Sequence, residues 1–505
     1  MRQYLYGQKS LFLFHFLFLF ATAFTLFPVE KCFSISNSGY SYQIPARIND
    51  GWATGSMYET NIDAKKLVEL IYNIRNNSYK NIHSILIVKD GILILEEYFH
   101  GFHYQQSHQI RSTTKSIGSI LTGIAIDHQF IKDINQKIYP YFKDYKIVQD
   151  WNEEVKDVTL KTLLTMTSGF ACDDHLIPNF QCEKAMYKTN DWLEYALNLP
   201  MAYKPGEHWA YNSSSLIVVS EIISKTSKLT ITEFADKYLF KPLGINEFQW
   251  GFSPKGRAFF GGNAKMKPRD MGKIGLIMLN RGKWNDRQII SERWIKESTS
   301  EHVQSQNSTG YGYLWWTGKQ TFGEQNISAY WAAGNGGNYV FVCPALSLVA
   351  VFTGGNYNNI LEIQPLGILI NYIIPAMLPP VPLQQNKKLD SSFLDSCVGE
   401  YQLQSGHIRL SVFKKDDELY CKVLGKISRM YAEKKNKFFV PDEVFGNWTL
   451  EIKRNEKGDV TSAIGYAAFQ VMPFKKIIGQ SSYNKMFHQI PKAGTFIVHM
   501  KSFHS

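Results

Sequence analysis

Charge is in short supply in this chain: Asp, Glu, Lys and Arg make up 20% of its 505 residues. That proportion belongs to a globular protein and not to a disordered polyelectrolyte. The formal charge is +11, yet there is no long Lys/Arg run and no basic repeat interleaved with aromatics. A nucleic-acid partner is therefore not expected, and the excess reads as a solvated basic surface. Only six cysteines occur, Cys32, Cys172, Cys182, Cys343, Cys397 and Cys421. None forms a Cys-x-x-Cys pair, which argues against zinc-ribbon and dithiol redox chemistry. His100, His103 and His108 cluster in the sequence, but no His-Glu-x-x-His pattern accompanies them. They read as surface or core-edge histidines, and no metal is expected. No Gly-x-Ser-x-Gly elbow is present, which disfavours the α/β-hydrolase route to serine chemistry. Internal repeats are missing as well.

Apolar residues are plentiful at 44%, with aromatics at 14%, enough for a large core and aromatic-lined clefts. Arg2 and Lys9 precede the apolar run Leu11–Phe20, and Ala21-Thr22-Ala23 offers a small-x-small cleavage site. This is the pattern of a secretory signal over residues 1–36, with an uncleaved membrane anchor as the competing reading. Cys32 lacks a lipobox. Export to the periplasm or beyond is expected, and in an oxidising compartment Cys172 and Cys182 suit a surface bridge. The remaining cysteines sit in apolar or alternating segments and read as buried thiols.

Residues 82–99 read as a hairpin about the turn Lys89-Asp90-Gly91. Helical spacing follows from Ser112 to Ile131, then over 160–167, 216–225 and 230–240. Strand patterns return at 337–343 and 348–352, so strands flank a block of helices: an antiparallel or mixed sheet and no βαβ array. Pro379, Pro380 and Pro382 mark a linker over 379–390. Beyond it, alternating segments separated by turn residues predict a small all-β domain over 391–480, followed by a tail over 481–505.

The sharpest motif is Ser112-Thr113-Thr114-Lys115. Ser and Lys three residues apart share one face of a helix start. A serine hydroxyl needs a neighbouring base, and a desolvated lysine can serve as one. The helix-start N–H is free to join an oxyanion hole. Ser-x-x-Lys recurs at Ser411–Lys414 and Ser482–Lys485, but in a strand pattern and a polar tail; only Ser112 precedes a long helix rich in small residues. Taken alone, the motif is equally an N-cap serine beside a surface lysine.

Its surroundings decide otherwise. EEYFHG, RSTTKSIGSILTGIAID, LKTLLTMTSGF, KPGEHWAYNSSSLIVVSEII, YLFKPLGI, KPRDMGKIGLIML, YGYLWW and AAGNGGNYVFVCP follow one another from about residue 80 to 375. Together they resemble the serine β-lactamase/penicillin-binding-protein superfamily, in the branch holding class C β-lactamases, DD-peptidases, EstB-type esterases and 6-aminohexanoate-dimer hydrolases. The resemblance implies an α/β (α+β) fold over 45–378: a five-stranded-type antiparallel sheet flanked by helices, with an all-helical subdomain over about 125–250. Ser112 would be buried at a helix start, at the cleft between them. The C-terminal domain resembles lipocalin-like extensions.

The resemblance also implies roles. Ser112 is the acylated nucleophile and Lys115 exchanges its proton. Tyr211 shuttles the proton to the leaving group; which of Lys115 and Tyr211 is the base stays open. Ser213 replaces the usual Asn of the second motif and is expected to reach substrate or Lys115. In the third motif Ala332-Ala333-Gly334 replaces the Lys-Thr-Gly or His-x-Gly that grips a β-lactam carboxylate. Ala333, Gly334 and Asn335 remain to line the substrate, with the Asn335 N–H completing an oxyanion hole. The expected activity is two-step acyl transfer, without cofactor, on a small ester or amide in preference to penicillin. A slow or non-catalytic sensor or scaffold of the cell envelope is the alternative.

Overall fold

The computed structural model describes residues 40–477 apart from 146–147, 149–150, 152, 176–181, 306–308, 323–324, 380–388, 405–407 and 443–445. The expected signal segment, most of the linker and the tail lie outside the described residues.

The first hairpin forms as its turn chemistry predicts. β1 (Ile82–Lys89) and β2 (Ile92–Tyr98) are joined through Asp90 and Gly91, both with positive φ. They edge an antiparallel sheet completed by β3 (Val303–Gln304), β4 (Gly310–Tyr311), β5 (Trp316–Phe322), β6 (Gln325–Gly334), β7 (Asn338–Cys343) and β8 (Leu348–Gly354). The order is β2-β1-β8-β7-β6-β5-β4-β3, eight strands where five were expected. Two-residue strands such as β3 and β4 have no room to display alternation, and β5 (WTGKQTF) carries little of it.

Period-two alternation sorts the sheet's side chains onto two cores. Tyr330, Ala332, Val340, Val342, Val349 and Val351 join one apolar cluster with α2 (Thr113–Asp127), α3 (Leu216–Ser227) and α4 (Pro268–Leu279). Trp331, Tyr339, Phe341 and Phe352 join the other, under α1 (Ala64–Arg75) and the helical segment 360–377. Every α2 residue from Thr113 to Ile126 is buried, so this helix runs through the core and has no solvent face. Glycine makes that possible: a Cβ at Gly123 would lie 2.3 Å from the Trp294 ring, and one at Gly118 would lie 2.7 Å from Phe260.

Between residues 153 and 243 the regular elements among the described residues are helices, as expected for the subdomain. α4 is fastened to the β2 edge by Arg269, which donates to Glu96, Asp50 and the Ala46 carbonyl. Beyond the linker, eight strands from β9 (Gly399–Leu403) to β16 (Gln470–Lys476) close into a barrel around Tyr401, Phe438 and Leu450. The turn between β15 (Val460–Ala467) and β16 inserts Phe469 into the core under the eight-stranded sheet, where it meets Trp331 and Phe341 at ring distances of 5.8 and 5.1 Å. Cys343, Cys397 and Cys421 are buried free thiols.

Candidate active site

Ser112 is the N-cap of α2 and Lys115 lies one turn along the same face. Lys115 is 2% exposed although it carries an amine. Its Nζ lies 2.8 Å from Ser112 Oγ and also donates to the Gly261 carbonyl. Ser112 itself is only half-buried, where burial was expected. The hydroxyl is thus open to the cleft while the amine beside it is kept dry.

Tyr211 comes into the same site from the loop before α3. Lys115 Nζ stands 4.9 Å from the Tyr211 ring centroid, against the face of the ring. The His175 imidazole stacks on this ring at 4.2 Å and 10°, and Trp316 lies nearly parallel at 6.2 Å. Backbone bonds hold the tyrosine in place. The Asp174 N–H donates to the Tyr211 carbonyl, 2.7 Å. The Asp174 carboxylate accepts the Ser213 N–H at 2.8 Å and the Glu183 N–H at 3.0 Å. A disulfide between Cys172 and Cys182 closes the segment that carries Asp174. Ser213 is thus fixed through its backbone, and its hydroxyl is not among the partners of Lys115.

Strand β6 brings the third motif alongside. A Cβ at Gly334 would fall 2.2 Å from the Ile110 carbonyl and 3.1 Å from the Thr113 N. Only glycine lets the strand end touch the start of α2. Alternation turns Ala332 toward this side. Ala333 packs with the opposite core, so its side chain does not line the site as expected. The Asn335 side chain is engaged by its own loop, which leaves the N–H as the group expected to face substrate. Its Nδ2 donates to Asn358 Oδ1 and its Oδ1 accepts the Asn358 N–H, both at 2.9 Å.

The rest of that turn is clamped with equal care. Asn338 Nδ2 donates to the Asn335 carbonyl at 2.8 Å, while the Asn338 carbonyl accepts the Thr113 hydroxyl at 3.0 Å. The Gly336 N–H donates to Glu362, and the Gly336 carbonyl accepts from Asn356. Among the described residues, neither the Asn335 N–H nor the Ser112 N–H is taken by a protein acceptor. Two unengaged donors beside a serine hydroxyl are the elements of an oxyanion hole.

Sequence reasoning missed Asn338, Asn356, Asn358, Glu362, Asp174 and Gly261. It also missed Glu183, whose carboxyl is pushed up by burial against the pull of Lys115. Of the clustered histidines, His108 turns inward, its Nε2 2.8 Å from His83 Nδ1. Among the described residues no group of three or more His, Cys, Asp or Glu is arranged to hold a metal ion.

Residues 83–358 match the Beta-lactamase family model, a stretch that begins on β1 and ends in the loop clamping the Asn335 turn. The chain belongs to the Beta-lactamase family. It is 27% identical to Protein flp of Staphylococcus aureus over 177 residues, covering 32% of this chain and 33% of that protein. It is 28% identical to lovastatin esterase of Penicillium rubens over 133 residues, 25% of this chain and 32% of the esterase. The matches thus span about a third of the length of these curated relatives. A Bacillus anthracis structure provisionally designated a 6-aminohexanoate-dimer hydrolase superposes with a TM-score of 0.51 at 19% identity, over 65% of this chain and 84% of its own. The fold is β-lactamase/transpeptidase-like, and the family is one of hydrolases.

Proposed function

We propose that this protein is a serine hydrolase of small esters or amides that works through an acyl-Ser112 intermediate. The observation that carries the reading is the 2.8 Å contact between Lys115 Nζ and Ser112 Oγ, made by a lysine held away from solvent at a helix start. Ser112 Oγ attacks the substrate carbonyl and its proton passes to the Lys115–Tyr211 pair. The oxyanion that forms is met by the Ser112 and Asn335 N–H groups. The bond to the leaving group then breaks, and that group departs with the proton from Tyr211's side. Water repeats the sequence on the acyl-enzyme, releasing the acid and restoring the serine.

An ester or linear amide suits the site better than a penicillin because Ala332 places a methyl group where a carboxylate grip would stand. Lovastatin esterase, a relative over part of the chain, acts by its name on an ester. Export is part of the proposal, supported by the signal-like N-terminus and by the Cys172–Cys182 disulfide, a bond typical of oxidising compartments.

The test is Ser112→Ala assayed with p-nitrophenyl butyrate and a fluorophosphonate probe. Hydrolysis and labelling should both vanish. Labelling that persists in the variant would remove Ser112 as the nucleophile.

A further inference from the structure

The residue just before the nucleophile is a cation that makes no ion pair among the described residues. Arg111 takes a left-handed backbone, φ 50°, immediately before α2 begins. Its guanidinium lies over the Tyr357 ring, Cζ 5.0 Å from the centroid. Its hydrogen-bonding partner among the described residues is a neutral one at long range, Asn263 Oδ1 at 3.3 Å from Nη1. That same oxygen is shared with Gln109 Nε2 at 3.4 Å. Arg111 Nε is buried without an acceptor.

The nearby carboxylate is already engaged. Glu183 accepts the Tyr187 hydroxyl at 2.5 Å, and that hydroxyl in turn accepts from Asn263 Nδ2 at 2.8 Å. Asn263 therefore stands between the two charges and keeps them from pairing. A half-buried guanidinium left with an unsatisfied donor is costly unless something else completes it. Arg is also the side chain best shaped to take a carboxylate with two parallel bonds.

The position of Arg111 says which part of a substrate it meets. Tyr357 covers the Asn335 turn, since a Cβ at Gly336 would lie 2.6 Å from its ring. Arg111 thus flanks the oxyanion donors on the Asn263–Tyr357 side. The Tyr211 ring keeps different neighbours, His175, Trp209 and Trp316. The leaving group departs beside Tyr211, so the acyl portion extends toward Arg111.

We propose that Arg111 sets the specificity of the cleft by binding a carboxylate carried on the acyl portion of the substrate, so that half-esters or half-amides of dicarboxylic acids are preferred. This rests on the acyl-Ser112 reading above. It does not restore penicillin binding, because a penicillin carries its carboxylate on the ring of the leaving nitrogen, away from Arg111.

The experiment compares mono-p-nitrophenyl glutarate with p-nitrophenyl valerate in wild type, Arg111→Gln and Arg111→Lys. What is read is the ratio of kcat/KM for the two esters within each protein, so a general loss of activity cancels. Wild type should favour the anionic ester by about ten- to a hundredfold, and 0.5 M NaCl should shrink that preference. Arg111→Gln should bring the ratio down to about one, with Arg111→Lys in between because it keeps charge but not the fork. A wild-type ratio near one, or a preference that survives in Arg111→Gln, overturns the assignment. Fluorophosphonate labelling separates the two readings. Labelling of Ser112 with no anion preference defeats the Arg111 role alone, whereas no labelling and no hydrolysis of either ester defeats the acyl-enzyme and this role together.

Discussion

Lys115 is held from two sides, by Ser112 Oγ and by the Gly261 carbonyl. In the proposed mechanism Lys115 shares in taking up and releasing a proton, and here lysine and arginine part company: an arginine could keep both bonds but stays charged. Lys115→Met should lower kcat by about 10²- to 10⁴-fold, with KM moved far less. Lys115→Arg should not rescue it. Near-wild-type kcat in the arginine variant would mean that the residue only positions Ser112. Ala332 sets a second expectation at this scale. A charge-assisted hydrogen bond to a β-lactam carboxylate is worth roughly 1.5–3 kcal/mol, about ten- to a hundredfold in rate, and a methyl group supplies none of it. Turnover of nitrocefin should fall well below that of a p-nitrophenyl ester in the same preparation, and efficient nitrocefin hydrolysis would contradict the ester reading.

The turn between β6 and β7 carries the Asn335 N–H, and its orientation depends on residues that never touch substrate. Asn338, fully buried, is the central one, tied to the Asn335 carbonyl and to Thr113 at the start of α2. Asn338→Ala leaves that carbonyl without its donor and should lower kcat about tenfold while costing about 1–3 kcal/mol of stability. Parallel decreases in fluorophosphonate labelling and in Tm would bear this out; full activity would show that the glycines hold the turn unaided. Little of this clamp was legible in the sequence. Asn338 reads as one more polar residue in a strand, and Asp174 acts on Ser213 across 39 positions. By contrast Ser112, Lys115 and Tyr211 could be singled out as candidates because each lies in one of the segments that carry the family resemblance. Ala333 was misplaced because a linear motif does not say which face of a strand each residue takes. The first hairpin was readable from Asp90-Gly91, since turn chemistry is local. β1 adds a dependence on pH. Burial, reinforced by His108 and His100, holds the His83 imidazole down at about 4 against its ordinary 6.5. Between those values the unfolded chain binds more protons there than the folded one. Stability is therefore complete above about pH 6.5 and is lost as pH falls toward 4. Tm measured across that window should decline, and His83→Gln should flatten the decline; an unaltered slope would assign it to other groups.

At the scale of the whole chain a hairpin tip keys the barrel to the hydrolase sheet, beside a second contact in which Asn371 donates to the Asp442 carbonyl and accepts the Asn447 N–H. Ala468 and Phe469 both take positive φ, 48° and 64°, in a two-residue turn that normally recruits Asn or Gly. That conformation costs roughly 1 kcal/mol or more per residue, and it is offset by what Phe469 reaches. The ring, 2% exposed, lies against Trp331 and Phe341, and its N–H donates to Gln320 at 3.2 Å. The fit is closed by Gly318, where a Cβ would fall 2.2 Å from the Phe469 carbonyl. Phe469→Ala should cost about 3–5 kcal/mol and weaken the coupling of the two bodies, leaving the Asn371 contact between them. Calorimetry should then show two separate unfolding transitions, and a single unshifted transition would mean that the hairpin is not what joins them.

That keyed joint also limits what recombination can do with such a gene. A crossover in the proline-rich stretch that exchanged one C-terminal barrel for another would still encode two foldable modules, but the incoming barrel would have to bring an aromatic tip of matching length. Without it the hydrolase would be synthesised with an open socket of Trp331 and Phe341, an adhesive spot on its surface. Descent with both halves together is thus the easier path, and the sheet-bearing domain and its barrel are expected to share one history.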